Sequence, residues 1–163
     1  MNRLHILSAG TPTPRKGRFG TATVLELDGE LVMVDCGPAA TWKLVGMGLW
    51  PTRIDWLFFT HHHSDHNADY PCFLMCRWDQ STGREQVLHV RGPRPTARLT
   101  DQLMGEQGAF VDDWKARVLD EGSQAVHRNR GGSLPRPEPR FDAMDIGPGP
   151  AGQGAAWRAR AIE

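Results

Sequence analysis

Residues Phe58–Tyr70 read FFTHHHSDHNADY, and four of the chain's seven histidines fall within His61–His66, with Asp65 among them. The run before it, Ile54–Thr60 (IDWLFFT), is apolar on both faces, as in a strand covered on both sides. Side chains alternate along an extended strand. His61 and His63 therefore point the same way and can share one ion. His62 points to the opposite side, where it packs or hydrogen bonds behind the strand. Asp65 and His66 lie on the following turn and can face the same cavity from another angle, so a second ion beside the first is feasible. Imidazole and carboxylate are a ligand set for zinc, with manganese or iron as alternatives. The competing reading is a solvated polar loop. Ligand type, spacing and the preceding strand together favour a metal site.

Working outward, Leu4–Ser8 reads as a short strand, followed by a loop rich in Gly, Pro and basic residues, AGTPTPRKGRFG. Thr21–Leu27 is a second strand. Asp28-Gly29 is a hairpin turn, and Leu31–Asp35 runs back as a buried strand ending on Cys36-Gly37-Pro38. Ala40–Leu49 makes a short helix, weakened by Gly46 and Gly48. Beyond the histidines, Ala68–Asp79 is helical, with Phe73, Leu74 and Trp78 at helical spacing. Val87–Val90 is a strand, and helices follow within Thr96–Gly105 and Phe110–Asp120. His127 falls in a basic loop and reads as a surface residue; His5 and His89 lie in strands and read as structural. Gly131–Gly154 holds six glycines and five prolines, so it is loop or extended segment. Ala155–Glu163 alternates Trp157, Ala159 and Ala161 with Arg158 and Arg160, a strand with one wet face. Strands interleaved with helices indicate an α/β (α+β) arrangement.

The 163 residues suffice for one domain with its own core. Lys+Arg and Asp+Glu are both 19, so overall charge gives no general attraction to nucleic acid or anionic membrane. No apolar run reaches the length of a membrane span, and the N-terminal apolar core is too short for a signal peptide. Three cysteines, Cys36, Cys72 and Cys76, argue against a disulfide framework and fit a reducing, cytoplasmic setting. Cys72 and Cys76 share a helix face and read as core residues, as does Cys36. The six tryptophans are spread along the chain, which suits core and interface packing.

The pattern His61-x-His63-x-Asp65-His66 after a buried strand resembles the signature of the metallo-β-lactamase-fold hydrolases. Leu7–Pro14 (LSAGTPTP), Val32–Pro38 (VMVDCGP) and Leu88–Pro93 (LHVRGP) occur in the order of the ribonuclease Z and arylsulfatase-like branch. The resemblance covers Leu4–Pro93 with strong motifs and the remainder in pattern only. It implies an αββα sandwich, of which this chain holds the N-terminal sheet and its helices as a single partial domain over residues 1–163. It implies two zinc ions, one on His61 and His63 and one on Asp65 and His66. Asp35 would be the carboxylate that fixes a metal-bound imidazole from behind; the alternative for Asp35 is a turn or helix-cap acid before Gly37. A hydroxide held between the ions would attack a phosphodiester or other ester, with Asp65 orienting it or taking its proton.

The family uses further ligands, a third histidine, a bridging aspartate and a last histidine. The chain is expected to be truncated before them and to leave an apolar sheet face open. The expected substrate is an RNA or a small-molecule ester. Ribonuclease Z-like phosphodiester cleavage leads, and sulfate esters, lactones and thioesters are alternatives. Expected partners are a missing C-terminal half or a second copy in a homodimer, and no membrane. The contrasting expectation is a catalytically silent fragment that binds metal weakly or needs a partner half.

Overall fold

A computed structural model describes residues 1–162; Glu163, the last residue of the expected C-terminal strand, lies outside the described residues. Six strands form one sheet in the order β1-β2-β3-β4-β5-β6. They are β1 Arg3–Ala9, β2 Thr21–Leu27, β3 Glu30–Val34, β4 Ile54–Phe58, β5 Leu88–Gly92 and β6 Phe141–Asp145. The first three run antiparallel and β3 to β6 run parallel. The β2–β3 turn is Asp28-Gly29, with φ of 49° and 93° and Leu27 paired to Glu30. Both central residues are left-handed, the geometry that matches strand twist and that Asp-Gly favours.

The parallel strands require crossovers, and helices supply them. Helix α1 (Ala40–Gly46) precedes β4; α2 (Ser64–Asn67) and α3 (Tyr70–Gln80) follow it. Helices α4 (Thr96–Met104), α5 (Val111–Leu119) and α6 (Glu121–Asn129) lie between β5 and β6. In the middle of the sheet, alternate residues of one face turn inward. Val24, Met33, Leu57, Leu88 and Val90 are buried there with Leu44, Tyr70, Phe73 and Leu74 of the helices. Each such side chain contributes about 1.5–3 kcal/mol by leaving water.

The opposite face carries Leu4, Ile6, Leu25, Leu27, Val32, Val34, Trp56 and Phe58, matched across the strands by register. A hairpin of β7 (Gly149–Gln153) and β8 (Arg158–Ala161) partly covers it. Trp157 meets Trp56 and Phe58 edge-on, at 5.3 and 6.1 Å between ring centroids. Glu30 anchors the hairpin by accepting from the Trp157 indole N–H (2.7 Å) and the Ala155 N–H (2.8 Å). Gly152 is needed here, because a Cβ would lie 2.5 Å from the Trp56 ring. Between hairpin and sheet runs an open apolar trough of about 570 Å³, while Leu4 and Ile6 at the β1 edge remain 61% and 59% exposed.

The Gly/Pro-rich stretch 131–154, expected as loop or extended segment, holds two strands, β6 and β7, and Phe141 and Ala143 of β6 pack on the core. Other expectations change. The basic segment around His127 is helix α6, started by Asp120, whose carboxylate accepts from the Ser123 N–H at 2.8 Å. His127 is buried, not on the surface. Cys72 and Cys76 face away from the core, because Tyr70, Phe73, Leu74 and Arg77 occupy the inner face of α3. Trp42 and Trp50 stand in solvent, whereas Trp114 is buried.

Candidate metal centre

Strand β4 ends at Phe58, the chain bends at Thr60, and His63 is extended (φ −70°, ψ 152°) before the turn into α2. The alternation holds across this segment. The rings of His61 and His63 lie 4.7 Å apart on one side. His62 turns the other way: its Nε2–H meets the Thr96 hydroxyl (2.7 Å) and the Pro93 carbonyl (3.2 Å). Burial lowers its pKa despite the Pro93 hydrogen bond, so the ring stays neutral and ties the loop to α4.

The first turn of α2 brings Asp65 and His66 to the same place. The His61 and His66 rings lie 3.9 Å apart, and His66 Nε2 is 3.5 Å from Asp65 Oδ2. Asp65 is 3% exposed, and its Oδ1 has no partner. An unpartnered buried carboxylate oxygen is costly unless a cation or donor meets it.

Asp35 organises the centre from behind. It is 2% exposed, and its backbone is left-handed at φ 60°, a conformation that Asp tolerates better than most residues. Its Oδ2 accepts from His66 Nδ1–H at 2.7 Å. Its Oδ1 accepts from the Thr60 N–H at 2.9 Å, and the Thr60 hydroxyl donates to the same carboxylate. The Thr60 oxygen is also 3.1 Å from His61 Nδ1. When Thr60 donates to Asp35, that oxygen accepts from His61 Nδ1–H. Both imidazoles then carry their proton on Nδ1 and offer a bare Nε2, the form a cation needs.

Thr60 was missed in the sequence. A hydroxyl directly before the first histidine is its only signal, and its partner Asp35 lies 25 residues away. The loop after β3 also clamps the site through its backbone. Cys36 N–H donates to the His66 carbonyl (2.6 Å), Asp69 N–H to the Cys36 carbonyl (3.0 Å), and Gly37 N–H to the Thr21 carbonyl (2.9 Å). A Cβ at Gly37 would lie 2.2 Å from the Asp65 carbonyl oxygen, so this approach requires glycine.

The donor set, the bare imidazole nitrogens and the orphaned Asp65 oxygen fit a divalent cation in kind. Among the described residues, however, no three such side chains yet converge on one point. The rings pack on one another, and a bound ion would require them to turn toward a shared centre. His127 takes no part; its Nδ1 is 3.4 Å from the Thr82 hydroxyl, beside the C-terminal end of α3. His5 pairs with Glu26 (3.2 Å), and His89 with Asp142 (2.7 Å) while stacking on Trp56.

The family model described as "Metallo-beta-lactamase superfamily" matches residues 15–71, the span from the first loop through the histidines into α3. In backbone, the chain is similar to human tRNase Z, short form, at TM-score 0.55 and 24% identity, over 86% of this chain and 42% of that one. It is similar at TM-score 0.55 and 21% identity to the metallo-β-lactamase fold protein YhfI from Bacillus subtilis, over 63% of this chain and 42% of that one. The chain has the metallo-β-lactamase fold. In sequence it is ribonuclease Z-like. It is 30% identical to a ribonuclease Z of Mycobacterium sp. (strain KMS), over 68% of this chain and 39% of the relative. It is 29% identical to one of Methanococcus maripaludis, over 77% and 40%. The chain thus spans about two fifths of the length of these curated relatives.

Beside the centre of this metallo-β-lactamase-like fold stands the loop between β1 and β2. Its base is fixed by the Gly10 N–H, which donates to the Gly20 carbonyl at 2.7 Å. A Cβ at Gly20 would lie 2.6 Å from the Asp65 carbonyl oxygen, so the loop is rooted directly against the site. Its tip is a small bridge between Arg15 and Arg18, closed by Gly17 at φ 81°. Arg15, Lys16 and Arg18 are exposed, and among the described residues none of the three forms an ion pair.

Proposed function

We propose that this chain carries the metal-binding part of a metal-dependent hydrolase acting on phosphodiesters, with RNA as the substrate class. The observation that carries it is the Asp35–His66–Asp65 cluster with His61 and His63. Its His61 and His66 imidazoles are held with Nε2 bare, and its buried carboxylate oxygen lacks a partner. His61 and His63 hold one ion, and Asp65 and His66 a second; zinc suits this donor set best. Bound there, divalent cations bring water near neutrality into its nucleophilic form and offset charge growing on phosphate oxygens.

The chain's own residues do the rest. Asp35 and Thr60 keep the His66 and His61 protons on Nδ1. Asp65, shielded from solvent, orients the attacking water and accepts its proton. Arg15, Lys16 and Arg18, on a loop rooted against Asp65, attract the polyanionic backbone; exposed cations of this kind supply the salt-dependent, sequence-independent share of nucleic-acid binding. The names of the ribonuclease Z relatives support the same substrate class.

The test combines metal analysis with hydrolysis assays on a labelled RNA, bis-p-nitrophenyl phosphate, p-nitrophenyl sulfate and a thioester. Expected are bound zinc, activity on the two phosphodiesters, and in His61→Ala/His63→Ala a fall in bound zinc together with loss of activity. Zinc binding with activity only on sulfate or thioester would reject the phosphodiester reading. Zinc uptake unchanged in the double variant would reject the site.

A further inference from the structure

Helix α3 carries a second group of soft donors outside the histidine centre. Cys72 is exposed and Cys76 half-buried, one helical turn apart, with their sulfurs 3.9 Å from each other. The helix beneath is rigidly seated. Tyr70, Phe73 and Leu74 are fully buried, and the Arg77 guanidinium donates to the Ile54 carbonyl (2.6 Å), the Gln86 carbonyl (2.9 Å) and Asp55 (2.7 Å). The pair therefore stands at a fixed spacing on an outward face.

That spacing is informative. Two thiolates bound to one cation at about 2.3 Å, with a tetrahedral angle between them, lie about 3.8 Å apart. Asp69, three residues before Cys72 and so on the same side of the helix, is half-buried. One of its oxygens accepts from the Thr41 N–H at 2.6 Å, and its charge reaches both Cys76 and Cys36. Asp69 thus places a negative charge on the side of the dithiol.

We infer that Cys72 and Cys76 form a binding site for a thiophilic divalent cation of the zinc and cadmium class, separate from the histidine centre. Binding exchanges two S–H protons for two metal–sulfur bonds, with water completing the shell and both protons released to solvent; no oxidation is involved. The groups facing the pair are Asp69, buried Cys36 and Asp79, the last already bridged to Arg117, Arg130 and Arg136. Burial, then the neighbouring Cys72, pushes the Cys76 thiol up to about 11. Ion uptake must displace that proton, so apparent affinity rises with pH, by up to about a hundredfold per unit where both protons leave.

The probe is cadmium, titrated into the full chain while the ultraviolet thiolate-to-cadmium charge-transfer band is followed. Histidine and carboxylate ligands do not give this band. Expected is saturation at one thiolate-bound ion per chain, with the same band in His61→Ala/His63→Ala, which removes two ligands of the histidine centre and no thiol. Cys72→Ser and Cys76→Ser each weaken uptake at least tenfold and remove about half of the band. Cys72 is exposed, so Cys72→Ser is expected to keep the wild-type circular dichroism spectrum. Absence of the band in wild type, its persistence at full strength in Cys72→Ser, or its loss in His61→Ala/His63→Ala would each overturn the assignment.

Discussion

Replacing Asp35 by Asn tests how the centre is built. Asn keeps the size of Asp, tolerates the left-handed backbone at φ 60°, and retains one oxygen for the Thr60 N–H, 2.9 Å away. What it cannot do is accept from His66 Nδ1–H, now 2.7 Å from Oδ2. With Oδ1 serving Thr60, the amide group faces His66 and donates instead. His66 must then move its proton to Nε2, the nitrogen 3.5 Å from Asp65 and aimed at the site. A protonated Nε2 cannot ligate. Loss of such a supporting carboxylate lowers metal affinity by roughly 10–100-fold, about 1.4–2.7 kcal/mol.

The fold should lose less, because one charge-assisted hydrogen bond is exchanged for a neutral one, about 1–2 kcal/mol. Asp35→Ala should be worse on both counts. It leaves the Thr60 and His66 donors unpaired in a buried place and puts a Cβ-bearing residue with no polar side chain at positive φ. Competition for zinc against a chromophoric chelator gives the affinities, thermal denaturation of the metal-free chain gives the stabilities, and nitrogen chemical shifts of His66 report its tautomer. Zinc affinity in Asp35→Asn within twofold of wild type, or a His66 proton still on Nδ1, would refute the reasoning.

Arg77→Met should destabilise by about 2–4 kcal/mol in denaturant unfolding, since it strands two carbonyls at a guanidinium site only 2% exposed, while Asp55 keeps Arg84 at 3.0 Å. Burial pushes the Asp79 carboxyl up, but Arg136, Arg117 and Arg130 outweigh it and hold the pKa below its usual value. Its stabilisation is therefore present above the unfolded pKa of about 3.9 and is lost as pH falls through the lower folded value. An acid unfolding series should show Asp79→Asn less stable than wild type at pH 7, with the gap closing at low pH. Gly37→Ala should cost more than about 2 kcal/mol and abolish zinc binding, because the new methyl meets the Asp65 carbonyl and the Thr21 backbone, none of which is the end of a flexible side chain. Wild-type melting of Gly37→Ala would show that the close approach can relax.

What could be read in advance depended on how local the determining physics is. The Asp28-Gly29 turn and the strands on either side are set by two residues' backbone preferences and a two-residue period, and the structure follows them. The exclusion of His62 rests on the same period, and His62 indeed bonds behind the strand to Thr96. Strand β6 was hidden because its pairing with β5 is between residues more than 50 apart, and its flanks are rich in proline and glycine. Helix α6 was hidden because charge was read as loop, when its start is marked by the cap Asp120. Cys72 and Cys76 were placed on one face correctly but on the wrong face. Periodicity says which residues share a side, and only packing says which side is inside.

The centre divides along the same line. The four residues in His61–His66 proposed as ligands are gathered by six consecutive positions, so the sequence alone offers them together. Their chemistry is set by groups far away in the chain. Asp35 reaches them across 31 residues, holds the His66 proton directly, and holds the His61 proton through Thr60. A left-handed Asp at the end of β3 can do this because the parallel pairing of β3 and β4 brings both strand ends to one edge, and Asp35 N–H closes that pairing on the Phe58 carbonyl at 2.8 Å. The sheet, then, is what converts a dense run of histidines into imidazoles of defined tautomer. A peptide spanning Phe58–Tyr70 alone should bind zinc far more weakly than the folded chain and lose selectivity for Nε2, measured by the same chelator competition and histidine shifts. Equal affinity in the peptide would mean that the run of ligands, and not the fold behind it, makes the site.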